Sequence, residues 1–288
     1  LPPAVPHESG HVPRGVGGMN RVTEGAIILN TKAVRAATRL GSGIMLITLS
    51  AAATAAGTGP NAEPDWPLPV HDDTAYGQVM FERLEYQAGD DEDVVLWDLQ
   101  AWYGGDLHRV WLETEGEDVV DGGEGGELEN LDIGYSYRFD RFWDARVGVG
   151  HQQTWGPGPD RERASVLIGV QGLAPFWFEM DANLRFTEDG DASAELEGEY
   201  DWRLTQRWML QARGETSYAF DEVEEFGVGE GVRGLTLGLR LRYHFTREFA
   251  PYIGVSWKDR FGDTADLIEA DGEDTEATSV VAGVRWWF

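Results

Sequence analysis

The sequence lacks cysteine altogether, and lysine is nearly absent. Without thiols the chain has no disulfide framework, no thiolate metal site and no cysteine nucleophile. Lys32 and Lys258 are the only lysines, so almost every basic residue is Arg. The formal net charge of −28 repels the phosphates of nucleic acids, and nucleic-acid binding is therefore set aside. The acidity favours cations as partners, although a surface kept soluble by carboxylates explains it equally well.

Long apolar segments are missing as well. The apolar stretch Gly43–Ala56 is too short for a membrane-spanning helix. Basic residues precede it, and Ala53-Thr54-Ala55 matches an Ala-x-Ala cleavage pattern, which together indicate a secretory signal peptide. Because the segment before it is unusually long for a signal, we expect an internal start such as Met19. Residues 1–55 are thus predicted to be an over-extended start plus a signal peptide.

Convincing helical periodicity is absent from the rest of the chain, where apolar and polar residues alternate instead. The alternation is clearest over Leu235–Trp257, in which the short break Thr246–Glu248 separates two runs. Since side chains alternate across a strand, this segment is predicted to be a hairpin. Its strands of about ten residues or more exceed the usual length in soluble sheets and fit a membrane-spanning β-barrel.

The same pattern predicts twelve strands after a Pro-, Asp- and Gly-rich segment at 56–77, which is expected to be a disordered periplasmic tail. The strands are 78–87, 94–104, 107–116, 127–138, 141–152, 163–172, 175–187, 192–203, 206–218, 232–246, 249–261 and 275–288. Short breaks alternate with longer ones, as in barrels with short periplasmic turns and longer extracellular loops. Residues 78–288 are therefore predicted to form an all-β, transmembrane, antiparallel up-and-down β-barrel in the cell outer membrane.

Aromatic residues support this placement in outer-membrane lipid. Many lie near the ends of predicted strands, where they fit the interfacial girdles of membrane barrels. Phe288 closes a last strand of alternating apolar residues, and this ending resembles the signal for outer-membrane barrel assembly. The alternative, a soluble β-sandwich, would bury these rings in its core.

Charged side chains fall on the opposite, inward face of the predicted strands. The acidic candidates are Glu85, Asp98, Glu113, Glu115, Asp132, Asp144, Glu179, Asp181, Glu195, Glu197, Glu199, Asp201 and Glu215, and the basic ones are Arg83, Arg109, Arg138, Arg146, Arg185, Arg213, Arg240, Arg242, Lys258, Arg260 and Arg285. Because the two sets nearly balance, we expect Arg–carboxylate pairs across a narrow lumen, not a wide general porin. The excess negative charge is then expected in extracellular loops such as Asp90–Asp93, where it concentrates cations.

Several stretches of the predicted barrel together match the pattern of one known family. The most characteristic is Leu239-Arg240-Leu241-Arg242-Tyr243, followed by Arg247-Glu248-Phe249-Ala250-Pro251-Tyr252. The others are Phe81–Gln87, Trp97–Asp106, His108–Glu117, Gly169–Glu179, Leu204–Arg207, Phe261–Leu267 and Gly272–Asp274. With these motifs, residues 78–288 resemble the copper resistance protein B family of outer-membrane proteins.

The resemblance implies a barrel of a copper-resistance system that binds copper or assists its export or sequestration across the outer membrane. It also implies copper ions as the ligand and a periplasmic multicopper oxidase of the same system as a partner. One departure concerns the segment before the barrel, which is rich in Met and His in many family members. Here residues 57–77 contain no Met and one His, His71, so high-capacity copper collection by this tail is not expected.

Four residues are candidate metal ligands, because imidazole and thioether groups suit copper. His108 follows a predicted periplasmic turn, His244 precedes another, and Met80 lies near the start of the first strand. All three are expected at the periplasmic mouth, where His71 from the tail would join them. The chain shows no His-x-His or Met-x-x-Met spacing. A single His in a polar strand also serves as a hydrogen-bonding residue, so the metal interpretation has an alternative.

Two further alternatives remain. An outer-membrane hydrolase needs a nucleophile beside a histidine, and Ser256 with His244 is the candidate pair. Strand alternation brings many such residues together by chance. We therefore predict that the chain is not an enzyme. A narrow channel or structural barrel with nonspecific cation-attracting loops needs no metal site. A cluster of Met and His at one mouth favours the copper interpretation, whereas a lumen closed by Arg–carboxylate pairs favours the generic barrel.

Overall fold

Twelve antiparallel strands close into one barrel in the computed structural model, which describes residues 74–89, 92–156, 160–223, 226–272 and 274–288. Consecutive strands are hydrogen-bonded, and the first strand pairs with the last to close the sheet. The predicted fold class is thereby confirmed. The predicted signal peptide, most of the predicted tail and His71 lie outside the described residues.

The strands lie close to their predicted positions. They are β1 (Tyr76–Ala88), β2 (Asp93–Gly104), β3 (His108–Asp121), β4 (Gly126–Asp140), β5 (Trp143–Trp155), β6 (Arg161–Ala174), β7 (Phe178–Thr187), β8 (Ala192–Arg203), β9 (Trp208–Ala219), β10 (Gly231–Tyr243), β11 (Phe249–Arg260) and β12 (Glu276–Trp287). β7 begins at Phe178 and not at residue 175, because Phe176 (φ 70°) and Trp177 (φ 65°) adopt the left-handed conformation of a turn.

The links between strands differ at the two rims. The short links 105–107, 141–142, 175–177, 204–207 and 244–248 lie at the same rim as both ends of the barrel. The opposite rim carries the two longest links, 220–230 and 261–275. Short turns mark the periplasmic side of an outer-membrane barrel and long loops its extracellular side. The predicted asymmetry therefore holds for these two links. The loops predicted at 117–126 and 153–162 are partly strand, because β3 extends to Asp121 and β5 to Trp155.

A helix, α1 (Gly262–Asp271), lies in the last extracellular link, where the sequence pattern predicts none. Local signals for it are weak, since its N-cap residue Phe261 makes no capping hydrogen bond. Tertiary contacts hold the helix instead: Thr264 is buried, and the Gly229 N–H donates to Thr264 Oγ1 at 3.0 Å. Gly272, with φ 86°, ends the helix in the left-handed conformation. The described residues include no helix long and apolar enough to cross a membrane.

The two faces of the sheet are inverted relative to a soluble protein. Large apolar side chains are exposed on the outer face, for example Ile133, Val149, Ile168, Ile253 and Val280. Among the largest fully buried side chains, in contrast, are Arg242, Glu85 and Asp132. A closed sheet leaves no unpaired strand edge, and an apolar exterior is stable in lipid hydrocarbon. The barrel is therefore an outer-membrane protein surrounded by lipid.

Substitution on the outer face tests this placement. Ile168 lies near the middle of β6 and is 53% exposed. The change Ile168→Arg is expected to lower the free energy of unfolding by about 2–4 kcal/mol, because it puts a charge near the bilayer midplane. The control, Leu204→Arg in the periplasmic link 204–207, is expected to lower it by only about 0–1 kcal/mol. Guanidinium titration of the barrel in phospholipid vesicles measures both, and equal losses would contradict this placement.

Candidate functional site

Charged side chains fill most of the lumen. A cavity of about 660 Å³ remains, and its wall includes most of the predicted inward-facing charges. These are Asp98, Glu113, Glu115, Asp132, Asp144, Glu179, Asp181, Glu195, Glu197, Glu199, Glu215, Arg109, Arg138, Arg185, Arg213, Lys258 and Arg260. Others, such as Glu85 and Arg240, are buried in the wall without lining this cavity. Strand alternation thus identified the lumen face correctly.

Two arginines share carboxylates across the lumen. Arg83 Nε on β1 and Arg213 Nη1 on β9 both donate to Asp98 Oδ2, each at 3.1 Å. Glu115 and Glu215 also form ion pairs with both guanidinium groups. We call these five residues the cross-lumen cluster. Because Asp98 lies on β2, far from β9 around the sheet, the cluster ties opposite walls of the barrel together.

Further ion pairs join other strands inside the barrel. Arg240 donates to both oxygens of Glu85, at 2.8 and 3.0 Å, and both side chains are almost fully buried. Arg185 binds Asp132 in the same two-pronged way, at 2.9 and 2.8 Å. Other pairs are Arg146 with Glu113 and Asp181, Arg242 with Asp201, and Arg285 with Glu82. Such pairs are the geometry that guanidinium and carboxylate groups favour, and the predicted bridging of the lumen is confirmed.

Glu82 reaches the lumen although strict alternation assigns it to the lipid face. A register shift between Phe81 and Arg83 marks a β-bulge in β1. The bulge turns two consecutive side chains inward, so that Glu82 is 6% and Arg83 4% exposed. Arg285 Nε donates to Glu82 Oε2 at 2.7 Å. The sequence signal for this bulge is the pair of adjacent charges in an otherwise alternating strand.

His244 and Met80 lie at the periplasmic end of the lumen. His244 directly follows β10 and lies two residues after Arg242, so its side chain is on the same, inward side. Its Nε2 atom is buried without a hydrogen-bond partner. Arg285 Nη2 contacts Met80 Sδ at 3.3 Å. Burial, together with the positive charges of Arg242 and Arg285, lowers the pKa of His244. The imidazole therefore favours its neutral, metal-binding form.

His108 lies on the outer face of the barrel. Its neighbour Arg109 lines the cavity, so His108 points the other way and is exposed. The ring lies 5.9 and 5.3 Å from those of Tyr135 and Tyr137, between centroids, and its Nδ1 is hydrogen-bonded to the Tyr135 hydroxyl. The structure therefore does not bring His108 together with His244 in the lumen.

Ser256 does not lie beside His244. The β10–β11 register pairs Ser256 with Gly238, six residues before His244 in the chain. At about 3.3 Å per residue, the two side chains are roughly 20 Å apart along the strands, so this pair forms no Ser–His dyad. Within the described ranges, no three His, Asp or Glu side chains are grouped closely enough to hold a metal ion.

The fold and lumen define an outer-membrane β-barrel whose interior is bridged by ion pairs. Residues 75–288 match the sequence profile of the family described as Copper resistance protein B precursor (CopB), and the chain belongs to this family. Copper resistance protein B of Escherichia coli is 37% identical over 219 residues, which are 76% of this chain and 72% of that protein. The homolog from Pseudomonas syringae pv. tomato is 35% identical over 219 residues, with the same shares of both chains.

Solved structures of similar shape are more distant in sequence. The NanC porin gives a TM-score of 0.46 at 15% identity, covering 73% of this chain and 99% of that one. The KdgM porin in complex with disordered oligogalacturonate gives 0.43 at 12% identity, covering 73% and 98%.

The buried pair Arg240–Glu85 is expected to be costly to break from one side. Arg240→Met leaves the Glu85 carboxylate buried without its partner, so the free energy of unfolding should fall by about 3–5 kcal/mol. The double change Arg240→Met with Glu85→Gln should recover most of this loss, because no unpaired charge remains. Arg247→Met, in the exposed link 244–248, is the control, with an expected change within about 0.5 kcal/mol. Unfolding in lipid vesicles measures all three, and a double variant no more stable than Arg240→Met would refute this account.

Proposed function

We propose that this chain is the outer-membrane barrel of a copper-resistance system, which binds copper at its periplasmic mouth or assists copper export or sequestration and does not act as an enzyme. Membership of the copper resistance protein B family supports the relation to copper. The observation that carries the site is the buried, unpartnered Nε2 atom of His244, at the periplasmic end of the barrel where Met80 also lies.

The ligand chemistry supports this site. A buried ring nitrogen without a partner is unfavourable, and a metal ion satisfies it as well as a hydrogen-bond donor does. Thioether sulfur suits Cu(I) and imidazole suits Cu(II), so Met80 and His244 together suit both oxidation states. We propose His71, which lies outside the described residues, as a further ligand. His108 is proposed only as a separate ligand on the outer face, beside Tyr135.

A periplasmic multicopper oxidase is the proposed partner, on the strength of the family. The position of His244 next to the periplasmic link 244–248 supports this, because copper held there is open to exchange with a periplasmic protein. Outer-membrane lipid surrounds the barrel wall. A periplasmic partner would therefore contact the short links of the periplasmic rim.

A second candidate function is a narrow channel or structural barrel whose acidic loops attract cations nonspecifically. The cross-lumen cluster favours it, since Arg–carboxylate pairs already tie the walls together without any metal. Exposed carboxylates at the extracellular rim, such as Asp189, Asp221 and Glu222, offer weak and unselective binding.

Copper titration of the purified full chain in detergent separates the two candidates. His244→Ala and Met80→Leu are each expected to weaken copper binding by about tenfold or more, as expected for loss of a ligand in a small site. Isothermal titration with Cu(I), Cu(II) and Zn(II) measures the affinities and the selectivity for copper. His108→Ala in the same assay tests the outer-face ligand.

The matched control for these variants is His151→Ala. His151 lies in β5 next to Gln152, which lines the cavity, so its own side chain points away from the lumen. Its replacement should leave copper affinity unchanged. Equal, weak binding of all three ions that none of the variants alters would refute the site and favour the second candidate.

A further inference from the structure

The lumen cavity extends over the height of the barrel. At the periplasmic end its wall includes Arg141 and Phe142, both in the link 141–142. At the extracellular end it includes Glu127, near the start of β4, and Arg260, the last residue of β11. Asp98, Glu115, Arg213 and Glu215 of the cross-lumen cluster also line it, so the cavity lies beside this cluster.

Charge is distributed unevenly around this cavity. Its wall contains fourteen carboxylates and nine Arg or Lys side chains, a formal surplus of five negative charges. Four arginines that do not line the cavity offset most of this surplus, because Arg83, Arg146, Arg242 and Arg285 pair with carboxylates of the wall. The negative charge is concentrated on one side: on β7, β8 and β9 the wall carries six carboxylates and two arginines. This side of the cavity is therefore acidic.

Carboxylates also stand directly opposite each other on neighbouring strands of the cavity wall. The register pairs Glu179 with Glu199, Asp181 with Glu197, and Glu197 with Glu215. Like charges in such positions destabilise a sheet unless cations lie between them. Arg213 supplies part of this compensation, through contacts of 2.8 Å to Glu197 and 3.0 Å to Glu199.

Several polar groups of the wall have no protein partner. Among the described residues, Glu127, Glu129 and Glu179 form no ion pair. The side-chain oxygens of Asn130 and Asn183 are buried and accept no hydrogen bond, and both residues line the cavity. Buried acceptors of this kind are normally satisfied by water or by a bound cation. Together with the open space, they indicate a hydrated interior.

We propose that the acidic part of the lumen conducts small hydrated cations across the outer membrane and excludes anions. Carboxylate rings select cations in channels by this means, and weak binding at several successive groups lets the ion leave again. This activity goes beyond the copper proposal, because it requires neither His244 nor copper. The carboxylates of β7, β8 and β9 set the selectivity, and the cross-lumen cluster limits the width.

Conductance of the full chain in planar lipid bilayers tests the proposal, in a KCl gradient with a chelator that removes copper. The wild-type protein is expected to conduct, with a reversal potential of the sign for K⁺ over Cl⁻. The double variant Glu197→Gln with Glu199→Gln should lower the K⁺/Cl⁻ permeability ratio by roughly twofold or more, since two wall charges are lost. Arg213 keeps Asp98 and Glu215 in this variant, so no buried guanidinium is left unpaired.

Two further variants complete the experiment. Glu129→Gln should shift the ratio in the same direction without breaking any ion pair, and it serves if the double variant does not fold. Glu248→Gln, in the periplasmic link 244–248 and outside the cavity wall, is the matched control and should leave the ratio unchanged. His244→Ala should keep the conductance, so this proposal and the copper site fail independently. Folded wild-type barrel without conductance, a preference for Cl⁻, or a ratio unchanged in the Glu variants would overturn the proposal.

Discussion

Pairing of charges inside a narrow barrel is the constraint on which the rest of this structure depends. The twelve-stranded sheet has lipid on its outer face, so its inner face receives nearly all the Arg, Glu and Asp side chains of the strands. A buried ion pair adds little net stability, because desolvation offsets most of the attraction, but an unpaired buried charge is strongly destabilising. The backbone hydrogen bonds between strands and the lipid-facing side chains therefore provide the stability of the barrel. The Arg–carboxylate pairs determine which strands are tied together across the lumen.

Alternation along single strands was enough to predict the barrel, its rims and most lumen residues. It failed where the backbone leaves the regular pleat: the bulge beside Arg83 brings Glu82 inside, and the turn at Phe176 delays the start of β7. Helix α1 was missed because tertiary contacts of Thr264 hold it, not its own sequence. Since alternation places Arg109 on the inward face, and neighbouring residues of a strand point to opposite faces, His108 could have been assigned to the outer face. Which charges pair across the lumen depends on barrel closure, which no single strand encodes.

The network of pairs has a consequence for function, because it is not spread evenly. Bidentate pairs such as Arg240–Glu85 seal the lumen near β1 and β10, while carboxylates of β7, β8 and β9 stand opposite one another beside open space. Arg146 and Arg213 compensate most of these carboxylates, through ion pairs with Asp181, Glu197, Glu199 and Glu215. Among the described residues, Glu179 is the facing carboxylate without an ion pair, and its charge supports the proposed passage of cations through the lumen.

The periplasmic end of the cavity and its interior differ in the ligands that they present. At the periplasmic end, Met80 lines the cavity and His244 begins the link 244–248, so the thioether and the imidazole that we propose as copper ligands both lie near this end. Beyond them the wall offers mainly carboxylates, which are harder ligands and hold soft Cu(I) weakly. Selective capture at the entrance and weak binding along the path are both needed, since an ion held tightly at every step would not leave. The copper site proposed at the mouth and the conducting interior proposed for the lumen are therefore compatible within one barrel.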